Sequence, residues 1–311
     1  MLIAGAPVFG SAAKTAYVGA RDVEYASTAL FYGGLVFLST IWPKGTRVHA
    51  VRRLLIGTWA TGTIATTAAI GLEGAWITQR SPSAAFHAAV LRSVLDTDFG
   101  AQWSAKALLW VLALIVLADL LRRGEDAVRS LPWRVGAVAV GLGTLRIDGL
   151  TGHASDAARP VVTELADLTH LAAISIWVGG LVMLLVGVLP RRDAVELQAI
   201  VPRYSQLAMA SVAVAATSGT VLAWRLLDNA GQLTSTTWGH LLLLKVSLLA
   251  VVMGVAAGSR TWVRHRLDAA VILRGDAAVV RPFVLSVAAE TAIVTTVLAV
   301  AGLLTTADLG R

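Results

Sequence analysis

The chain has 311 residues, of which 56% are hydrophobic and only 14% are charged, and its mean hydropathy is +0.72. Soluble globular domains carry about 25% charged residues, so this composition excludes a soluble globular protein, a disordered chain and a coiled coil. Apolar runs of about 20 residues recur along the whole length, which is typical of a protein that crosses a membrane several times. The chain has no cysteine, and this excludes disulfides, thiolate metal sites, iron–sulfur clusters and cysteine nucleophiles.

Eight long apolar runs predict an all-α bundle of eight transmembrane helices. In chain order the runs cover residues 24–42, 54–72, 101–121, 133–147, 164–188, 204–224, 239–258 and 283–304. Between the second and third runs, residues 81–95 are mixed in polarity and too short to cross a bilayer, so we expect a helix in the outer interface. The N-terminal segment lacks the basic start and apolar centre of a secretory signal, and we expect no cleaved signal peptide.

Arginine and lysine are distributed unevenly between the two sides of this predicted bundle. The loops after the first, third, fifth and seventh runs hold 16 of the 26 basic residues, the opposite side holds 8, and Lys106 and Lys245 lie inside runs. Because basic loops are retained in the cytoplasm, we expect both termini outside the cytoplasm, in the cytoplasmic (inner) membrane. The lipid bilayer thus accounts for the net charge of +7, and nucleic acid is not an expected partner.

Two short matches indicate an internal duplication. The sequence Gly-Gly-Leu-Val at residues 33–36 reappears at 179–182, 146 residues later. Residues 97–106 resemble residues 236–245, since both contain Thr-x-x-Gly with a lysine six positions after the glycine. An even number of helices in each half predicts two parallel four-helix repeats, residues 1–150 and 151–311. Coincidence among helices rich in glycine and leucine is the alternative.

Ionisable groups inside a membrane are costly, so each one is a candidate functional residue. Asp167 and His170 lie three residues apart on one helix face, near the outer end of the fifth run. His153 lies in the outer loop before that run, and Glu73 lies at the outer end of the second. Imidazole is a common copper ligand, so these four residues predict an outer metal site. The alternatives are a hydrogen-bonded bundle residue for His170 and a solvated loop residue for His153.

Further histidine and methionine side chains fall at opposite ends of the predicted helices. His87 and His240 lie on or near the outer side and are candidate supporting residues. The inner halves of the fifth to seventh runs carry thioethers, which suit Cu(I): Met183, Met209 and Met253. An outer imidazole site and an inner thioether site would fit inward movement of copper, although methionine is also an ordinary core residue.

Three charged residues inside the runs are candidate supporting groups. Lys106 and Lys245 lie about two turns from the outer side, where they either snorkel to the headgroups or supply a fixed positive charge. Such a charge would tune the outer site or pair with Glu73. Glu290 lies about two turns into the last run from the cytoplasmic side, with no partner that the sequence identifies.

The chain resembles the copper resistance protein D (CopD) family. The stretch Thr-Gly-His-Ala at 151–154, with Asp-Leu-Thr-His at 167–170 and the following Trp-Val-Gly-Gly, looks like the core motif of that family. The run that ends at Lys245 and the run Ser286–Glu290 are similar to its later landmarks. The resemblance covers about residues 20–305 and implies a multi-spanning inner-membrane protein linked to copper uptake or copper handling. The motif positions that it implies are His153, His170, Lys245 and Glu290.

These observations predict copper transport or copper handling across the membrane, with capture of the ion by outer histidine and carboxylate groups. They leave Cu(I) and Cu(II) open. A haem-binding membrane cytochrome that uses His170 and another outer histidine is one alternative, and a non-transporting copper-delivery partner for cytochrome oxidase assembly is another. The resemblance implies an extracytoplasmic copper chaperone or an oxidase copper-assembly protein as a partner. Walker, GxSxG and HExxH motifs do not occur, so we expect no enzyme activity.

Overall fold

The computed structural model of the protein describes residues 8–150, 161–191, 193–226, 231–236, 239–244, 246–251 and 254. Within these ranges the chain folds into helices and contains no strand, which confirms the all-α prediction for this part of the chain. The eighth predicted span lies outside the described residues, as do His153, Lys245, Met253 and Glu290.

Nine α-helices are defined in the described ranges. They are α1 (Val8–Thr40), α2 (His49–Ile77), α3 (Ala88–Leu95), α4 (Asp98–Arg123), α5 (Glu125–Arg129), α6 (Leu131–Leu150), α7 (Val161–Met183), α8 (Ala194–Leu226) and α9 (Gln232–Ser235). Short 3-10 turns lie at Pro43–Arg47 and Pro82–Phe86, and α7 continues through a π-helical turn at Leu184–Val188 into a 3-10 turn at Leu189–Arg191. Residues 239–244 and 246–251 are also helical.

Each of the first six predicted spans contains one long helix, but the helices differ in how well they suit a bilayer. In the described part of the chain, four helical segments are long and apolar enough to cross a membrane: His49–Ile77, Asp98–Arg123, Val161–Arg191 and Val195–Arg225. Helix α1 begins at Val8 and not at residue 24, because the polar residues of its first half lower its hydropathy without interrupting the helix. Helix α6 has only 20 residues and carries charged residues near its end.

Helix α1 packs along both α2 and α7, and its contact with α7 is made backbone to backbone. A Cβ atom added to Gly33 would lie 2.9 Å from Cα of Gly179, and one added to Gly179 would lie 2.6 Å from Cα of Gly33. Real Cβ atoms do not approach other atoms this closely. Glycine at both positions therefore allows the two helices to touch.

The contacts around this crossing are reciprocal. Gly33 lies against the backbone of Ser175, and Gly179 lies against the backbone of Ala29. In the same way Gly34 lies against the side chain of Met183, and Gly180 lies against the side chain of Phe37. The two members of every such equivalent pair are 146 residues apart in the sequence. The matched segments of α1 and α7 therefore exchange equivalent contacts.

Residues 81–95, expected as an interfacial helix, form a 3-10 turn and the short helix α3. They pack on the ends of α2 and α4 that the sequence places outside. The backbone of Ala85 contacts α2 at Gly71, and the side chain of Val94 contacts it at Gly74. We call residues 81–95 the outer segment. One face of it is docked on the bundle, and the opposite face is exposed.

Candidate functional site

The described members of the predicted copper site lie on two helices, α2 and α7. Asp167 and His170 are partly buried on α7, and Glu73 is partly buried near the outer end of α2. Within the described ranges, no group of three or more histidine, aspartate or glutamate side chains is arranged to hold a metal ion. His153, the remaining predicted ligand, is not among the described residues.

His170 is oriented by α8. Its Nδ1 atom lies 2.8 Å from the backbone oxygen of Ala215 and 3.3 Å from Oγ of Ser218. A carbonyl oxygen accepts only, so this contact requires a proton on Nδ1 and makes Nε2 the nitrogen with the lone pair in the neutral ring. The hydrogen-bonded alternative for this histidine is thus realised. The same bond is also the one that fixes the tautomer of metal-binding histidines.

Asp167 lies against the end of α6. Its Oδ2 atom occupies the space that a side chain on Gly149 would fill. Asp148, the preceding residue on α6, belongs to the buried cluster described below. The carboxylate of Asp167 is therefore close to a second set of charged groups.

The other predicted supporting residues do not form one site within the described part of the chain. His87 and His240 are exposed. Met183 is fully buried against α1, whereas Met209 on α8 is 43% exposed. Glu73 lies within electrostatic range of Arg21 on α1.

A cluster of buried charges lies between α1, α4 and α6. Nζ of Lys106 donates hydrogen bonds to Oε2 of Glu24 and to Oδ1 of Asp148. The side chains of Lys106 and Glu24 are 0% exposed and that of Asp148 is 1% exposed. The expectations that Lys106 snorkels to the headgroups or pairs with Glu73 are wrong. Its side chain is buried, and its ammonium binds carboxylates of α1 and α6. We call these three residues the Lys106 cluster.

Neutral groups complete the surroundings of the Lys106 cluster. Thr28 donates a hydrogen bond of 2.7 Å from Oγ1 to Oε1 of Glu24. The ring of Trp103 lies 4.6 Å from Nζ of Lys106, and the ring of Tyr25 lies 5.5 Å from it. Both rings present their faces to the ammonium, an arrangement that stabilises a cation where water is absent.

A row of polar side chains leads from this cluster along α1. The hydroxyl of Tyr25 donates to the backbone oxygen of Asp148 over 3.4 Å. Arg21, only 8% exposed, donates to the hydroxyl of Tyr25 over 2.6 Å and to that of Tyr17 over 3.4 Å. Glu73 lies beyond Arg21 and Tyr17, at the end of α2. Polar contacts of Tyr25, Arg21 and Tyr17 therefore connect the Lys106 cluster to the neighbourhood of Glu73.

The Lys106 cluster could have been predicted from the charged residues of the sequence, although hydropathy alone does not reveal it. Glu24 and Asp148 fall at the ends of predicted spans, where charged residues are common and do not by themselves indicate a functional site. Lys106 lies inside a span, and a lysine at that depth needs carboxylate partners on adjacent helices. Glu24 and Asp148 lie near the same predicted outer side and are 82 and 42 residues from Lys106 in sequence.

Comparison with known proteins gives two family matches, which cover different segments of the chain and belong to one family. Residues 11–160 match the model for the copper resistance protein D-like N-terminal domain, and residues 198–304 match the model for copper resistance protein D. The copper transport protein CutJ of Bacillus subtilis (strain 168) is 28% identical over 250 residues, which are 76% of this chain and 44% of that protein. The chain therefore spans less than half the length of that relative.

No solved structure matches the chain. The two family matches follow each other along a helical chain with several membrane-length helices. The protein is accordingly a multi-pass membrane protein that belongs to the copper resistance protein D family.

Proposed function

We propose that this protein transports copper across the cytoplasmic membrane and captures the ion on the outer side with His170, His153 and nearby carboxylates. The observation that carries the proposal is the bond between Nδ1 of His170 and the carbonyl oxygen of Ala215. It orients the imidazole inside a membrane-length helix of a copper-resistance chain, and in the neutral ring it leaves the lone pair on Nε2. Nε2 is then the copper ligand.

The position of His170 along α7 supports this role. It lies nine residues from the start of the helix at Val161, which corresponds to about 13 Å along the axis. Asp167 lies one turn closer to the outside, so a carboxylate precedes the imidazole on the way in. Met183 lies further inward on the same helix and supplies a thioether, a ligand type suited to Cu(I).

We further propose eight spans in two parallel four-helix repeats, residues 1–150 and 151–311, with both termini outside. The reciprocal contacts of α1 and α7 support this architecture. A two-fold axis parallel to the two helices produces such an exchange: residue i of one half contacts residue j of the other, and the equivalents of i and j contact each other in return. The axis would pass between Gly33 and Gly179.

Copper uptake into proteoliposomes tests the function. We expect the purified protein to take up copper above the level of protein-free liposomes. His170→Ala should lose this uptake while the protein remains monodisperse and helical. The control is His49→Ala, since His49 is exposed at the start of α2 on the predicted cytoplasmic side.

Two results would contradict the proposal. The absence of copper uptake by the unaltered protein would exclude transport, and normal uptake by His170→Ala would exclude the site. An absorbance spectrum of the same preparation checks the cytochrome alternative, because stoichiometric haem would give a Soret band.

A further inference from the structure

One face of α8 receives the imidazole ring of His170. Ala215, Ser218 and Gly219 lie three and four residues apart in this helix, so they share that face. The backbone oxygen of Ala215 and Oγ of Ser218 lie beside Nδ1 of the ring, at 2.8 Å and 3.3 Å. A Cβ added to Gly219 would lie 3.0 Å from Cε1 of the same ring. Two acceptors and one position without a side chain therefore define the place of the ring on α8.

The hydroxyl group of Ser218 is oriented by its own helix. Its single proton is donated to the backbone oxygen of Val214 at 2.6 Å or to that of Ala215 at 3.2 Å. Serine commonly bonds the carbonyl groups of the preceding turn in this way when it lies inside a helix. Donation to either carbonyl leaves a lone pair of Oγ for an incoming N–H group. Ser218 therefore accepts a hydrogen bond from Nδ1 of His170 and does not donate one to it.

The two acceptors select one tautomer of His170. A carbonyl oxygen can only accept, and the hydroxyl proton of Ser218 is used within α8, so both groups favour a proton on Nδ1. In the neutral ring the lone pair then lies on Nε2. Histidines that bind metals are typically held by such a bond from their other nitrogen, and loss of the partner weakens metal binding by about 10–100-fold.

Gly219 allows the ring to reach these acceptors. The 3.0 Å between an added Cβ and Cε1 of His170 is shorter than ordinary van der Waals contact, which begins near 3.4 Å. The same Cβ would lie 3.3 Å from Nδ1, the atom that bonds Ala215. A methyl group at this position would push the ring off α8 and lengthen its hydrogen bonds, which weakens them.

We propose that Ser218 and Gly219 are positioning residues for the copper ligand His170. Ser218 supplies a second acceptor that keeps the ring proton on Nδ1, and Gly219 leaves the space in which the ring reaches the oxygen of Ala215. Neither residue binds the ion itself. This role rests on the proposed function, because it concerns the orientation of the imidazole that would bind copper.

Nitrogen NMR of protein that contains isotope-labelled histidine tests the positioning without copper. The chain has six histidines, and the signals of His170 are those that are missing from His170→Ala. At a pH where the ring is neutral, we expect the unaltered protein to carry the His170 proton on Nδ1. Ser218→Ala and Gly219→Ala should each give a mixture of the two tautomers. A proton on Nε2 in the unaltered protein would overturn the proposal.

Thr217→Ala and Gly136→Ala are the matched controls. Thr217 is exposed on α8, where its hydroxyl donates to the backbone oxygen of Ala213 over 3.0 Å, and a Cβ at Gly136 meets nothing within 4 Å. Both variants should keep the His170 signals of the unaltered protein. A tautomer mixture in the controls as large as in Ser218→Ala and Gly219→Ala would overturn the proposal. Size-exclusion profiles identify a variant that has unfolded, and the spectrum of the unaltered protein still decides the question then.

Competition with a chromophoric chelator measures copper affinity, with Cu(I) and Cu(II) in separate titrations. We expect Ser218→Ala and Gly219→Ala to bind copper about 10–100 times more weakly than the unaltered protein. Unchanged affinity in both variants would overturn the proposal.

Transport and positioning are tested independently. A tautomer change in the two variants, without copper uptake by the unaltered protein, would retain the positioning of the ring and exclude copper transport. Copper uptake by a protein that carries the His170 proton on Nε2 would exclude the positioning alone.

Discussion

Replacement of Gly33 by alanine tests the backbone contact between α1 and α7. The added Cβ would lie 2.8 Å from the carbonyl carbon of Ser175 and 2.9 Å from Cα of Gly179, and the oxygen of Ser175 is closer still. Ordinary van der Waals contact begins near 3.4 Å, so relief of the contact with the carbonyl carbon alone would require the helices to separate by about 0.6 Å, and relief of the closer contact with the oxygen would require more. The obstructing atoms belong to backbone, which cannot rotate out of the way.

The expected magnitude follows from two opposing effects. Overpacking of a tightly packed interior costs about 1–3 kcal/mol, and a backbone obstacle places this substitution at the upper end. Alanine in place of glycine in a helix returns about 1 kcal/mol. We therefore expect Gly33→Ala to lower the stability of the protein by about 2 kcal/mol.

Thermal unfolding in detergent, followed by the fluorescence of the ten tryptophans, measures this effect. The control is Gly57→Ala, because a Cβ at Gly57 meets nothing within 4 Å. That variant should be unchanged or more stable by about 0.5–1 kcal/mol. If Gly33→Ala unfolds at the temperature of Gly57→Ala or above it, the close approach of the two helices is refuted.

Three further predictions concern other parts of the chain. Lys106→Met should destabilise the protein by about 3–5 kcal/mol in the same unfolding assay, because it leaves two carboxylates buried without their cation. Lys14→Met, at an exposed position, is the control and should have little effect. Equal unfolding temperatures of the two variants would contradict the buried pairing. Thr97→Ala should lower the stability of the protein by about 1 kcal/mol, since the Thr97 hydroxyl accepts a hydrogen bond from the backbone N–H of Gly100 at the start of α4. Thr97→Ser retains a hydroxyl and should keep the stability of the unaltered protein. A cysteine at Ser130, the residue before α6, should react with an impermeant reagent from the cytoplasmic side only; labelling from outside would reverse the proposed topology.

Much of the helical framework was predictable from the sequence, because long apolar runs have few alternatives in a bilayer. The start of α1 was not. Its first half carries Lys14, Arg21 and Asp22, which hydropathy scores against a membrane helix. In the folded chain these residues continue the helix, since backbone hydrogen bonding depends little on side-chain polarity. Hydropathy thus locates the apolar centre of a helix better than its ends.

The residues of the candidate sites were predictable singly and not as groups. His170 and Lys106 stand out because each is a polar residue inside an apolar run. Their partners do not, because Ala215 contributes only a backbone oxygen and Asp148 lies near the end of a predicted span, where charges are common. Such pairings depend on how the helices pack, and a sequence pattern within one helix carries no information about that.

The outer segment packs closely enough on α2 and α4 to affect how an ion could reach the interior of the described bundle. At Gly100 of α4, an added Cβ would lie 2.7 Å from Cα of Leu95, and at Gly71 of α2 one would lie 3.0 Å from the carbonyl carbon of Ala85. Contacts this close leave no gap for a hydrated ion between the outer segment and these two helices. On the proposed function, we therefore expect an ion from outside to enter away from the outer segment, and on the flank formed by α1, α6 and α7 it would meet the partly buried carboxylate of Asp167.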